Sequence, residues 1–175
     1  MSTEGCSTTR VRELRESEIR ERAGELAGVL FDAVSGGVRT AFAAPRWPLD
    51  AVRGVLDLAD AVARGTIVLV AEHDGEIVGS VQLRPARSEV APRRMELSTL
   101  VVHHRARRRG VASALTAAAE EAARERGCRI LSVDTAADGE GRHVYDRLGF
   151  ARVRFVPALA LAQVGVDTIS YHKVL

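Results

Sequence analysis

Cysteine, tryptophan, lysine and aromatics are all scarce in this 175-residue chain, and each scarcity closes off a class of function. The two cysteines, Cys6 and Cys128, stand far apart and form no C-x-x-C pair, so neither a disulfide framework nor a cysteine metal site is needed. Cys128 reads as a small buried hydrophobe at the start of a strand. Lys173 is the only lysine, the net charge is +2, and the basic excess is concentrated in Arg105, Arg107, Arg108 and Arg109. A nucleic-acid binder would spread its charge over a face, and aromatics at 4% supply no stacking platform. No run approaches the roughly 20 apolar residues of a membrane span. The nearest, Phe155 to Val166, is short and holds Pro157 and Gln163. The N-terminal MSTEGCSTTR lacks an apolar signal region, which makes the cytoplasm the expected compartment. Neither G-x-x-x-x-G-K-[ST] nor G-x-G-x-x-G occurs. His103, His104 and His143 show no metal-ligand spacing and read as loop or surface residues; no metal is expected.

What remains is an ordinary globular composition of about one domain's length. Residues 1–9 are small and polar, a disordered tail, and 10–175 read as a single domain. Apolar residues at three- and four-residue steps predict a helix over Glu18 to Val34, ended by Gly36-Gly37, and a second from Leu49 to Ala63 with Pro48 at its first position. Two β-rich runs, Thr66 to Glu72 and Glu76 to Leu83, flank His73-Asp74-Gly75, a hairpin signal. A loop from Arg84 to Arg93 precedes a strand from Met95 to Val102. A helix follows over Gly110 to Arg126, then a strand, Arg129 to Asp134, parallel to Met95–Val102. A short helix, Arg142 to Leu148, and strands Ala151 to Val156 and Thr168 to Val174 complete the chain. The fold class is α/β (α+β): a mixed, mostly antiparallel sheet with a central parallel pair, flanked by helices.

The stretch from Arg94 to Gly127 organises this plan. A strand runs into a turn containing Arg107-Arg108-Arg109-Gly110-Val111-Ala112, and the turn opens a helix. The first N–H groups of a helix have no internal partner and carry partial positive charge, so they attract phosphate. Gly110 permits close backbone approach and Ala112 does not block it. The surrounding guanidinium forks suit phosphate oxygens, which favours a di- or polyphosphate ligand.

This R-x-x-G-x-A run, placed between strand and helix, resembles the acetyl-CoA pyrophosphate loop of the GNAT acetyltransferases. Val144-Tyr145-Asp146-Arg147-Leu148-Gly149-Phe150 is similar to their Y-x-x-x-G-F element, at the family's spacing. Over nearly all of the chain, FDAVSGGVRTAF, MELSTLVVHHRARRRG, LSVDTAADGEGRHVYDRLGF and DTISYHKVL are similar to the tabtoxin-resistance acetyltransferase and its relatives, which acylate an amine of a small antibiotic amino acid. The resemblance implies a GNAT fold and acetyl-CoA as co-substrate. It places the cofactor on Arg107, Arg108, Arg109, Gly110, Val111, Ala112 and Ser113, Glu96 and Asp134 as an acidic pair near the amine, and Tyr145 beside the thioester sulfur. Asp138 stands where many members have a cofactor-touching asparagine, and His104 replaces a frequent proline.

The residues agree with those roles. An aliphatic amine, mostly protonated near neutrality, must lose a proton before attacking a thioester, and a carboxylate can take it directly or through water. Backbone N–H groups of Leu100, Val101 and Val102 would meet the oxyanion if the strand bulges there. Tyr145 would protonate the leaving thiolate in a direct transfer through a ternary complex. Trp47 is either core or a wall of the substrate pocket. The expected activity is N-acetylation of a small-molecule amine, antibiotic or amino-acid-like. The expected partners are that amine and, as a homodimer, a second copy, with no nucleic acid and no membrane. A protein N-terminal or lysine acetyltransferase and a non-catalytic acyl-CoA binder share the same motifs. A closed acidic pocket under Val38 to Trp47 and Val156 to Asp167 would mark the small-molecule enzyme, and an open trench the peptide enzyme.

Overall fold

The structure, a computed structural model, describes residues 9–37, 48–86, 93–139, 141–157 and 167–175. A tail over 1–8, Trp47, and most of the two segments expected to roof the pocket lie outside the described residues. Among the described residues one sheet of seven strands forms: β1 (Arg10–Glu13), β2 (Ile67–His73), β3 (Glu76–Pro85), β4 (Arg94–Val102), β5 (Ile130–Ala136), β6 (Ala151–Val156) and β7 (Thr168–Val174), in the spatial order β1-β2-β3-β4-β5-β7-β6. Every pairing is antiparallel except β4 with β5. The parallel pair is where the sequence put it, joined through helix α4 (Val111–Glu125).

Two differences from the sequence reading lie near the N-terminus. Arg10–Glu13 is a strand, and the first helix is two, α1 (Glu16–Glu21) and α2 (Ala23–Ser35), broken at Arg22. The RVRE run carries too few apolar residues to read as a strand, yet it pairs with β2 from Arg10↔Glu72 to Glu13↔Leu69. What holds it is charge. Arg12 donates from Nε and Nη2 to Glu72 at 3.0 Å each and from Nη1 to Glu18 at 2.6 Å, and Arg22 donates to Glu72, to Glu25 and to the Gly75 carbonyl. The hydrogen bonds from Arg12 are the main reason the Glu72 carboxyl lies below the usual carboxylate range. Arg22 itself stands at the break, with φ −104 and ψ 21 between the two helices.

Helix α3 (Pro48–Val62) joins α1 and α2 on one face of the sheet, where Leu26, Ala33, Val55 and Ala59 pack on Val68, Val70, Ile77 and Val101. On the other face α4 and the short helix α5 (Gly141–Arg147) cover Leu69, Val81, Leu83, Leu97, Leu131 and Val133. Gly79 makes the fit of α4 close: a Cβ there would lie 3.0 Å from the Val101 carbonyl oxygen and 3.1 Å from Leu115 and Val111 side-chain carbons. Lys173 ties β7 to both helices, donating to Glu120 at 2.6 Å and to the Leu148 carbonyl at 2.8 Å. Among the described residues no helix is long and apolar enough to cross a membrane.

Candidate active site

The sheet opens at its parallel pair. β4 and β5 are in register only over Arg94↔Ile130, Met95↔Leu131 and Glu96↔Ser132, and beyond Glu96 they part. Just past that point β4 bulges. Gln82 pairs with Ser98 and Ser80 with Val101, so Thr99 and Leu100 together face Val81. Thr99 takes φ 51, a left-handed conformation that a β-branched residue adopts at a cost of about 1–3 kcal/mol. The buried hydroxyls of Ser98 and Thr99 have no hydrogen-bond partner. The bulge conjectured for Leu100 to Val102 is therefore present, one residue earlier than placed, and among the described residues no strand pairs with β4 on the β5 side beyond Glu96.

The cradle lies at the far end of β4. His104–Ala106 form a single 3-10 turn, Arg108 and Gly110 take left-handed φ of 62 and 78, and α4 begins at Val111. Gly110 is the N-cap, so no cap side chain occupies the helix start, and the first turn of α4 holds no acid. The first internal bond of this helix runs from Ala114 N to the Gly110 carbonyl at 3.0 Å, leaving the amides of Val111, Ala112 and Ser113 without a partner inside the helix. Nothing lies within 4 Å of where a Gly110 Cβ would stand, so the space above the turn is open. Open amides, no acid, and exposed Arg108 and Arg109 fit a diphosphate.

Arg107 is placed differently from the other arginines. Its Nε donates to the Val102 carbonyl at 3.2 Å, and Nη2 is buried without a partner. It props the turn from beneath. A second prop comes from α2, where Asp32 accepts from the His104 backbone N at 2.7 Å and from its ring. Those hydrogen bonds hold the Asp32 carboxyl below its ordinary range against the opposing desolvation, which is the larger single effect. Asp32, His103 and His104 bring three ligand atoms within 4.8 Å of one another, a grouping invisible to local spacing because Asp32 and His104 are 72 residues apart. With both Asp32 oxygens engaged by His104, the cluster serves as a tie between α2 and the turn.

Glu96 is half-buried on β4 and Asp134 exposed on β5; the register, which pairs Glu96 with Ser132, places Asp134 two residues further along on the same face. Tyr145 comes from the opposite face. It lies on α5, 7% exposed, with ring centroids 5.6 Å from Phe150 and 5.8 Å from Tyr171, and burial pushes its hydroxyl above the ordinary phenol value. It stays protonated near neutrality and can donate. Asp138 is exposed in the turn after β5.

A model of the acetyltransferase (GNAT) family matches residues 39–150, a span that takes in β2 through α5 and so both the cradle and the split. The chain belongs to the acetyltransferase (GNAT) family. Among curated proteins it is similar to the uncharacterized N-acetyltransferase YhfO of Bacillus subtilis (strain 168), 32% identical over 87 residues, or 49% of this chain and 58% of that protein. The chain thus matches little more than half the length of that relative. The GNAT fold recurs in solved structures. The ribosomal-protein-alanine N-acetyltransferase of Brucella melitensis superposes with a TM-score of 0.74 at 25% identity, over 95% of this chain and 99% of that one. The acetyltransferase yncA of Salmonella typhimurium, solved with acetyl-CoA, gives 0.75 at 18% identity over 97% and 95%.

Proposed function

We propose that the chain, as one domain from Arg10 to Leu175, transfers the acetyl group of acetyl-CoA to the amine of a small molecule, amino-acid-like or antibiotic, in the manner of the tabtoxin-resistance acetyltransferase it resembles. The observation that carries this reading is the uncapped start of α4 next to the strand split. Acetyl-CoA is the bound partner of the Salmonella neighbour, and a diphosphate fits the open amides here. Val111, Ala112 and Ser113 would hold the diphosphate, with Arg108 and Arg109 beside it and Arg107 supporting the turn. Asp138, exposed, is assigned a further contact.

The thioester arm would then lie between the parting strands, its carbonyl facing the N–H groups of Leu100, Val101 and Val102. Glu96 and Asp134 draw the ammonium to the same opening, and Trp47 lines the pocket. The neutral amine attacks the carbonyl carbon, the carbon–sulfur bond breaks, and Tyr145 protonates the thiolate. The phenol recovers a proton from the amide nitrogen by way of solvent. Transfer is taken as direct: Cys128 is buried just before β5 with its Sγ engaged by the Arg93 and Ile130 carbonyls, and Cys6 lies outside the described residues.

A second reading, acetylation of a protein N-terminus, is favoured by the name of the Brucella neighbour. Thiol release from acetyl-CoA against amino acids, aminoglycosides and peptides separates the two. Turnover confined to small amines supports the first reading, and turnover confined to peptides replaces it with the second.

A further inference from the structure

The strand registers draw one line across a single face of the sheet, the face on which α1 to α3 pack through Val68, itself paired with Gln82. Arg84 pairs with Glu96, Glu96 with Ser132, Ser132 with His172 and His172 with Ala151, so these residues form a row across β3, β4, β5, β7 and β6. Directly opposed residues present their side chains to the same face. Tyr171 on β7 points the other way, into the core with Tyr145, which confirms the facing of His172. The row passes through the last paired residues before β4 and β5 part, and Asp134, opposite Ser170, stands one step beyond it on that face. Arg94 Nε donates to Ser132 Oγ at 3.0 Å, and Ser132 Oγ in turn donates to the Met95 carbonyl at 3.3 Å, fixing the floor between Glu96 and His172.

We propose that His172 is the base that takes the proton from the acceptor's ammonium group, with Asp134 as its positioning residue and Glu96 holding the incoming cation. The proposal rests on the acetyltransferase reading. An ammonium N–H bond breaks and its proton passes to an unprotonated imidazole nitrogen of His172. The freed lone pair forms the bond to the thioester carbon, sulfur departs with its electron pair and is protonated by Tyr145, and His172 later loses its proton to water. An imidazole suits the step because its ordinary pKa is about 6.5, nearer to that of the amine than a carboxylate's, and a base close to the working pH is the more effective. Half-burial and the charge of Arg94 hold His172 below that value while Asp134 opposes them, so the ring is neutral and able to accept near neutrality. Among the described residues the other charged groups along this row are Arg84 of β3, Glu96 of β4 and Arg154 of β6, which pairs with Ser170; Lys173 points to the opposite face and is engaged by Glu120.

Two measurements test this. The first is the imidazole titration of the full chain by NMR, with and without CoA, in the wild type, Asp134→Asn and Arg94→Gln. The His172 midpoint is expected below that of free histidine, lower still in Asp134→Asn and higher in Arg94→Gln; a midpoint above 7.5, or one that neither variant moves, overturns the proposal. The second is the pH profile of kcat/KM for His172→Gln, with acetyl-CoA and the best amine of the thiol-release panel. The loss at pH 7 is expected to be about 10²–10⁴-fold, shrinking as the pH nears the amine's own pKa, with acetyl-CoA affinity unchanged by calorimetry. A variant that binds acetyl-CoA and keeps the wild-type rate and profile overturns the role of His172 and leaves the acetyltransferase reading standing. A wild type that neither binds acetyl-CoA nor acetylates any amine overturns both.

Discussion

Arg107 and Gly36 meet across the root of the cradle: a Cβ on Gly36 would lie 3.0 Å from Arg107 Nη2 and 3.3 Å from Nη1. The end of α2 therefore limits where this guanidinium can sit, and the guanidinium in turn holds the Val102 carbonyl. Gly36 has φ −82, a backbone any residue adopts, so a larger side chain there acts through Arg107 alone. Gly36→Val should weaken acetyl-CoA binding about tenfold, by displacing the prop at a cost of about 1.4 kcal/mol. Arg107→Ala should do the same, and the double variant should be no worse than the more affected single one. Calorimetric dissociation constants for the three chains check this.

Tyr145 is buried and stays protonated, and it lies beyond the face that would receive the amine. Tyr145→Phe keeps the ring stacked on Phe150 and Tyr171 and removes only the hydroxyl. The expected outcome is a fall in kcat of about 10²–10⁴-fold with the acetyl-CoA dissociation constant within a factor of about two. Steady-state rates beside calorimetry separate this from simple packing, for which both values would stay near wild type.

Strands β2 to β7 and helices α3 to α5 follow from apolar periodicity and turn residues, and their ends agree with the sequence to within a few residues. Those signals are local, and so is the R-x-x-G-x-A turn. β1 escaped because the charge cluster of Arg12, Glu18, Arg22 and Glu25 is completed by Glu72, which lies 60 residues from Arg12 and 50 from Arg22. Asp32 escaped for the same reason. His172 stood in a stretch already noted, DTISYHKVL, and strand alternation alone separates it from Tyr171. Which of the two faces opens on the strand split depends on the register of β5 with β7, and no single strand contains that information.

Glu72 links acid pH to the stability of the N-terminal layer. Hydrogen bonds from Arg12, and with them those from Arg22, keep its folded-state pKa below the unfolded value. The stabilisation is therefore complete above about pH 4.5 and is lost as the pH falls through the folded value, because the unfolded chain takes up the proton first. Glu72→Gln should cost about 1.5–3 kcal/mol at pH 7 and progressively less below about pH 4.5. Melting temperatures of both chains between pH 3 and 7 should converge at the acid end; parallel curves would mean that Glu72 is not the linked group.

The most direct test is calorimetry of acetyl-CoA and CoA with the wild-type chain and with Gly110→Asp. Aspartate at this position must hold a φ of 78 and places a negative charge at the open helix start. The wild type is expected to bind both ligands one to one, with dissociation constants within about 1 μM to 1 mM, and Gly110→Asp to lose at least about tenfold in affinity while melting cooperatively. No heat from either ligand with the wild type, or equal affinity in the variant, would contradict the assignment of the α4 start as the site that grips the cofactor.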